Sequence, residues 1–254
     1  MENSKGPTIY PVKALPADVQ RRPLHPNMPQ LPTIMTIVAP TASGKSVLLS
    51  NLLLREDMYG GKDPLFDNIT VMSNTINSDV TSRFLREACD CYDFYDDVVL
   101  GNIIQQQKSY EDPEDRPFIA LVFDDILGSV KRSSYLNSLV TRARHYGVGL
   151  CVCSVQSFKS LGPTIRNNCN SFICMNLQNM SELDKISDEY NGMFGGDEKF
   201  RQIYHHATQV QYDFLYLDLK SNPSRALRNF EEVIAVGDQL NFDPSSTIKK
   251  EIPT

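Results

Sequence analysis

Ala39-Pro40-Thr41-Ala42-Ser43-Gly44-Lys45-Ser46 stands between an apolar run, Ile34 to Val38, and a stretch in which Val47, Leu48, Leu49, Leu52 and Leu53 form the inner face of a helix. A loop joining a buried strand to a helix N-terminus aims backbone N–H groups at one point, and the positive end of the helix dipole adds to them. The eight residues therefore read as a loop for the phosphates of ATP or GTP. In this reading Lys45 reaches the β and γ oxygens and the Ser46 hydroxyl ligates magnesium. The loop departs from the G-x-x-x-x-G-K-[ST] pattern, because Ala39 and Ala42 stand where glycine is common and only Gly44 remains. A methyl group there restricts positive φ and close backbone approach, so the departure bears on nucleotide affinity rather than on fold.

Phe118-Ile119-Ala120-Leu121-Val122-Phe123 is an unbroken apolar run ending in Asp124 and Asp125. Such a run reads as a parallel strand covered on both faces, with its acids at the C-terminal edge where open α/β sheets bind ligands. Asp124 is placed to hold magnesium, directly or through water, and Asp125 to orient or deprotonate the water that attacks the γ-phosphate. A third strand, Gly149 to Val155, delivers Gln156 to the same edge as a γ-phosphate sensor. Basic residues flank it: Arg142, Arg144 and His145 before, Lys159 and Arg166 after. Arg144 leads as an arginine finger for a neighbouring subunit, with Arg142 and Arg166 in reserve. The alternative for each is a solvated helix face or a surface ion pair.

The order of phosphate loop, acid-ended strand, Thr141-Arg142-Ala143-Arg144-His145-Tyr146-Gly147-Val148-Gly149, Ser154-Val155-Gln156-Ser157 and Thr164-Ile165-Arg166-Asn167-Asn168 resembles the FtsK-HerA superfamily. Within it the chain is most similar to the poxvirus-type genome-packaging ATPases, from about Pro32 to Val236. The resemblance implies an α/β P-loop NTPase of the RecA-like kind, with an additional strand beside the catalytic acid, a mainly parallel sheet flanked by helices and an antiparallel edge near the C-terminus. It further implies a homo-oligomeric ring that uses ATP and Mg2+ to pull double-stranded DNA, without sequence preference, into a capsid whose protein is a partner. The Asp-Asp pair resembles the viral branch, and its shorter second acid implies slow or subunit-dependent turnover.

The 254 residues are 41% hydrophobic, enough for one core without disulfides or metal. Cys89, Cys91, Cys151, Cys153, Cys169 and Cys174 lack paired C-x-x-C spacing and read as reduced thiols of an intracellular protein. No signal-peptide stretch and no run of about 20 apolar residues is present, so a soluble protein without membrane insertion is expected. By resemblance its place is the host-cell cytoplasm or a viral assembly site, or the virion. A net charge of −6 argues against a basic surface throughout, so DNA contacts would be confined to a pore, for which Lys131 and Arg132 are candidates; an exposed turn is the alternative.

Six prolines in the first thirty residues predict an extended or disordered arm over 1–31, followed by an ATPase domain over 32–240 and a polar tail over 241–254. Between the motifs the pattern predicts a strand near 69–72, a helix near 78–89 and a loop or exposed helix over 105–116. Beyond Gln156 it predicts a strand over 172–176, a helix capped by Ser181-x-x-Asp184, an alternating strand over 212–219 and a last strand near 225–233. His205 and His206 are expected at a helix end in a surface or dipole role, and Asp90, Asp93, Asp96 and Asp97 in an exposed connection. Three functions stay open: an ATP-driven DNA translocase for viral packaging, a P-loop phosphotransferase acting on a small molecule, and a scaffold that binds nucleotide without turnover.

Overall fold

The structure is a computed structural model and describes residues 22–127, 130 and 133–244. Its strands are β1 (Thr33–Val38), β2 (Asn68–Ser73), β3 (Asp90–Tyr92), β4 (Ile119–Asp124), β5 (Val148–Val155), β6 (Ser171–Met175), β7 (Phe214–Asp218), β8 (Arg225–Arg228), β9 (Glu232–Val236) and β10 (Gln239–Leu240). They form one sheet in the order β10-β9-β8-β7-β6-β1-β5-β4-β2-β3. From β6 to β3 neighbours run parallel, and from β6 outward to β10 they run antiparallel. This is the expected mixed architecture. β5 lies between the phosphate-loop strand β1 and the acid-ended strand β4, which is the additional strand of the RecA-like arrangement.

Strands β1, β4 and β5 are buried along their whole length because both faces of the sheet are covered. Helices α1 (Lys45–Leu54) and α2 (Arg83–Ala88) supply Leu48, Leu49, Leu52, Leu53 and Leu85 to one core, which takes Ala120 and Val122 from β4. Helices α3 (Asp97–Ser109), α4 (Ser134–Arg142), α5 (Pro163–Asn168), α6 (Met180–Tyr190) and α7 (Asp197–Ala207) cover the other face, against Ile119, Leu121 and Phe123. Full burial of a leucine contributes roughly 1.5–3 kcal/mol. Leu49, Leu52 and Leu53 thus anchor the helix that carries the phosphate loop.

Several local expectations change. Val47 is 50% exposed rather than part of the inner face. The helix expected near 78–89 is a short 3-10 turn, Val80–Ser82, followed by α2. The acidic connection contains the edge strand β3, and Asp96 caps α3 by accepting from Val98 N at 2.7 Å. Helix α6 is capped by Asn179, whose Oδ1 accepts from Ser181 N at 2.9 Å, so Ser181 is not the cap. The strand expected to alternate, β7, is buried at every residue because it lies inside the sheet between β6 and β8. The last predicted strand is two, β8 and β9, parted at Asn229, which adopts φ 54°. His206 is not on the surface: it is 9% exposed and stacks on Phe242 at 4.0 Å, and burial lowers its pKa.

The last residues of the expected arm pack on the domain. Met28 and Leu31 are each 4% exposed, Tyr59 Oη donates to Pro29 O at 2.6 Å, and Arg22 Nη2 donates to Met58 O at 2.6 Å. Residues 1–21, the candidate pore residues Lys131 and Arg132, and residues 245–254 of the tail lie outside the described residues. Among the described residues no helix is long and apolar enough to cross a membrane. All six cysteines are free.

Candidate nucleotide site

Register assembles the acidic side of the site. Asp124 pairs with Ser73 on one side and Ser154 on the other, so all three side chains leave the sheet on the face covered by α1. Ser73 Oγ donates to Asp124 Oδ2 at 3.0 Å and Ser154 Oγ donates to Oδ1 at 2.8 Å. Sequence reading missed both serines. Ser73 ends β2 and Ser154 is the penultimate residue of β5, and only the strand register brings them level with Asp124.

Lys45 is the first residue of α1, beside Gly44, whose φ of 96° turns the chain from loop into helix. Its Nζ lies 3.0 Å from Asp124 Oδ1 and forms a second ion pair with Asp125 Oδ2. Gln156 Nε2 donates to the same Asp125 oxygen at 3.2 Å. Asp125 has left the sheet with φ 52°, a left-handed conformation that aspartate tolerates better than most residues. Its N–H still donates to Ser154 O at 3.0 Å, which fixes the carboxylate beside β5. Asp125 Oδ1 is buried and has no hydrogen-bond partner among the described residues. A buried acceptor without a donor is costly, so this oxygen is suited to receive a proton or a hydrogen bond from a bound group.

A cavity of about 1190 Å3 joins these residues to Pro40 through Ser46. Ala39 sits beneath it, fully buried, its N–H bonded to Val155 O at 3.0 Å. Ala42 adopts φ 59°, so the loop takes up a left-handed turn despite the methyl group. Asp79 also lines the cavity and was not anticipated from the sequence. Burial by itself would raise its pKa, but hydrogen bonds from Thr81, Ser46 and Ser82 outweigh that and hold it at about 2. Asp79 caps the turn after it by accepting from Thr81 N at 2.9 Å, and its nearness to Ser46 depends on how β2 returns past α1.

Magnesium fits this donor set of hydroxyl and carboxylate oxygens. No cluster of three or more His, Cys, Asp or Glu residues poised for a metal exists among the described residues. Both oxygens of Asp124 already accept hydrogen bonds or pair with Lys45, so contact through water fits it better than direct ligation.

The basic candidates are elsewhere. Arg142 and Arg144 precede the N-terminal end of β5, whereas the site is at its C-terminal end. At about 3.3 Å per residue the strand between them and the site spans roughly 23 Å. Arg166 pairs with Glu189 Oε2 at 2.9 Å and lies over the Phe158 ring at 5.3 Å, outside the cavity.

The genome-packaging NTPase B204 of Sulfolobus turreted icosahedral virus 2, in complex with ATP-gammaS, is 18% identical and covers 78% of this chain and 98% of its own, with a TM-score of 0.51. The DNA-packaging ATPase B204 of Sulfolobus turreted icosahedral virus is also 18% identical, covering 76% and 96%, with a TM-score of 0.52. The chain has a P-loop NTPase fold. Within that fold, the loop 39–46 and the edge formed by β4 and β5 face one cavity. Uncharacterized protein 088R of Invertebrate iridescent virus 3 is 25% identical over 183 residues, 71% of this chain and 67% of that protein. No family model matches the chain.

Proposed function

We propose that this chain is an ATPase that drives double-stranded DNA into a viral capsid. The observation that carries the reading is the convergence of Lys45, Asp124, Asp125 and Gln156 on the phosphate loop at one sheet edge, with β5 between β1 and β4. The shared fold with B204 and the five ordered motifs support packaging as the task.

In this reading ATP is held by the N–H groups of 39–46 and by Lys45, which exchanges its pairs with the acids for phosphate oxygens. Ser46 and Asp124 hold the Mg2+, which neutralises phosphate charge when bound. Asp125 orients water through Oδ1 and accepts its proton as the water oxygen bonds to the γ-phosphorus and the bond to ADP breaks. Gln156, bonded to Asp125, couples that carboxylate to the γ-phosphate. Subunits form a ring in which Arg144 reaches the neighbour's site; its distance from its own site supports action in trans only. DNA is gripped by its backbone, independent of sequence.

Phosphate release from ATP with Mg2+, with and without long double-stranded DNA, tests this. DNA-stimulated release is expected. Tight ATP binding without release under either condition would favour the scaffold, a reading supported by the two loop alanines and by the ion pairs that occupy Lys45.

A further inference from the structure

The cavity does not stop at the phosphate loop. Past Gly44 and Val47 its walls become Met28, Tyr212, Phe214 and Phe230, with Glu231 at the rim. Tyr212 is 60% exposed and adopts φ 70°, a conformation that disfavours a bulky side chain. Its ring nevertheless lies against the loop: a Cβ added at Gly44 would stand 3.1 Å from Tyr212 Cδ1. The neighbouring backbone is firmly mounted. Asp213 accepts from Arg228 Nε at 2.8 Å and from Asn229 Nδ2 at 3.0 Å, while Asn229 Oδ1 accepts from Phe214 N at 3.1 Å. Behind it, Phe230 makes edge contacts with Phe214 at 5.1 Å and Tyr216 at 5.3 Å. On the opposite side Met28 is brought in by the 22–31 segment, which is tied down by Asn27 Nδ2 to Glu231 O at 3.1 Å and Arg225 Nη2 to Pro26 O at 2.8 Å.

A strained, exposed aromatic ring beside a phosphate loop, facing an aromatic and thioether wall with polar groups at its rim, has the make-up of a site for a flat heteroaromatic ring. We propose that Tyr212, Phe230 and Met28 form a nucleobase subsite that takes the purine ring of the nucleotide whose phosphates occupy residues 39–46. This rests on the nucleotide-site reading above and adds to it the base-recognising residues. The purine is favoured over a pyrimidine by its larger stacking face. Tyr212 lies before β7, far in sequence from the phosphate loop, so the subsite links the C-terminal strands and the 22–31 segment to nucleotide binding.

The test compares MgATP with magnesium tripolyphosphate, which has the phosphates and no base, by titration calorimetry on the full chain. Tyr212→Ala is expected to weaken MgATP roughly tenfold, the size of one lost stacking contact, and to leave tripolyphosphate within about twofold. Tyr212→Phe, which keeps the ring, is expected to bind both as the unaltered chain does. Equal weakening of both ligands, or of neither, by Tyr212→Ala overturns the proposal. The chain has no tryptophan, so Tyr212→Trp supplies a single reporter, expected to be quenched by MgATP and not by tripolyphosphate; quenching by both alike also overturns it. Lys45→Ala separates the two levels: if it keeps full affinity for both ligands, the phosphate-loop reading itself fails, whereas loss of both alongside an unaffected Tyr212→Ala sinks only the base subsite.

Discussion

Lys45 Nζ sits 3.0 Å from Asp124 Oδ1 while also pairing with Asp125, so one buried cation is shared between two carboxylates. Lys45 is 8% exposed and Asp124 5%, so the pairing is largely shielded from solvent and bears on stability. Removing one partner of a buried ion pair costs about 3–5 kcal/mol, because the other charge is left uncompensated. Lys45→Ala is therefore expected to lower stability by about 3 kcal/mol in urea unfolding, and the added change Asp125→Asn to recover part of it. Additive losses in the double variant would contradict the coupling.

Ala42 holds a left-handed conformation with φ 59°. A non-glycine residue there costs about 1–2 kcal/mol relative to glycine. Ala42→Gly is expected to raise stability by about 1 kcal/mol in urea unfolding and, with the loop in the same conformation when nucleotide is bound, to leave MgATP affinity unchanged. Calorimetry of both chains checks it, and weaker binding by the glycine variant would show that the loop changes conformation when nucleotide enters.

Asp79 is held at about 2 by hydrogen bonds that its neighbours give to the charged form. A depressed carboxyl pKa stabilises the fold fully above the ordinary carboxylate range near 3.8 and loses that contribution as pH falls toward 2. Asp79→Ala removes a cap as well, with an expected cost of about 1 kcal/mol at pH 7. The difference from the unaltered chain is expected to shrink as pH falls from 4 to 2 in thermal unfolding. Because Asp79 also contacts Ser46, its loss is expected to raise the Mg2+ concentration needed for ATP binding by about tenfold.

The placement of Arg144 at the opposite end of β5 from Gln156 gives a mixing experiment. Arg144→Ala and Lys45→Ala chains are each expected to lack ATPase activity alone and to recover part of it when combined. In mixed rings an intact site then faces a neighbour with an intact arginine. Absence of recovery, with assembly shown by light scattering, would remove Arg144 as the trans group and leave Arg142 and Arg166.

The central strands and the polar edge were legible because their signals are local. Apolar runs such as Phe118–Phe123 require cover on both faces, and glycine, lysine and acids at run ends mark where the loops turn. Ser73, Ser154 and Asp79 were not, because their roles come from strand register and from the path of β2 past α1. Val47 departed from the helix-face pattern because it borders the cavity rather than the sheet. Tyr212 was read as the start of a strand, since its sequence neighbourhood alternates and nothing local reveals that it turns back onto Gly44.

The most direct measurement is phosphate release from MgATP with and without long double-stranded DNA, for the unaltered chain and for Asp125→Asn. Asparagine accommodates the left-handed backbone at this position and keeps an acceptor oxygen but cannot take a proton from water. DNA-stimulated release in the unaltered chain, lost in Asp125→Asn while MgATP affinity is kept, is the predicted result. Undiminished DNA-stimulated turnover in Asp125→Asn would contradict the role given to this carboxylate, and turnover indifferent to DNA would contradict the motor.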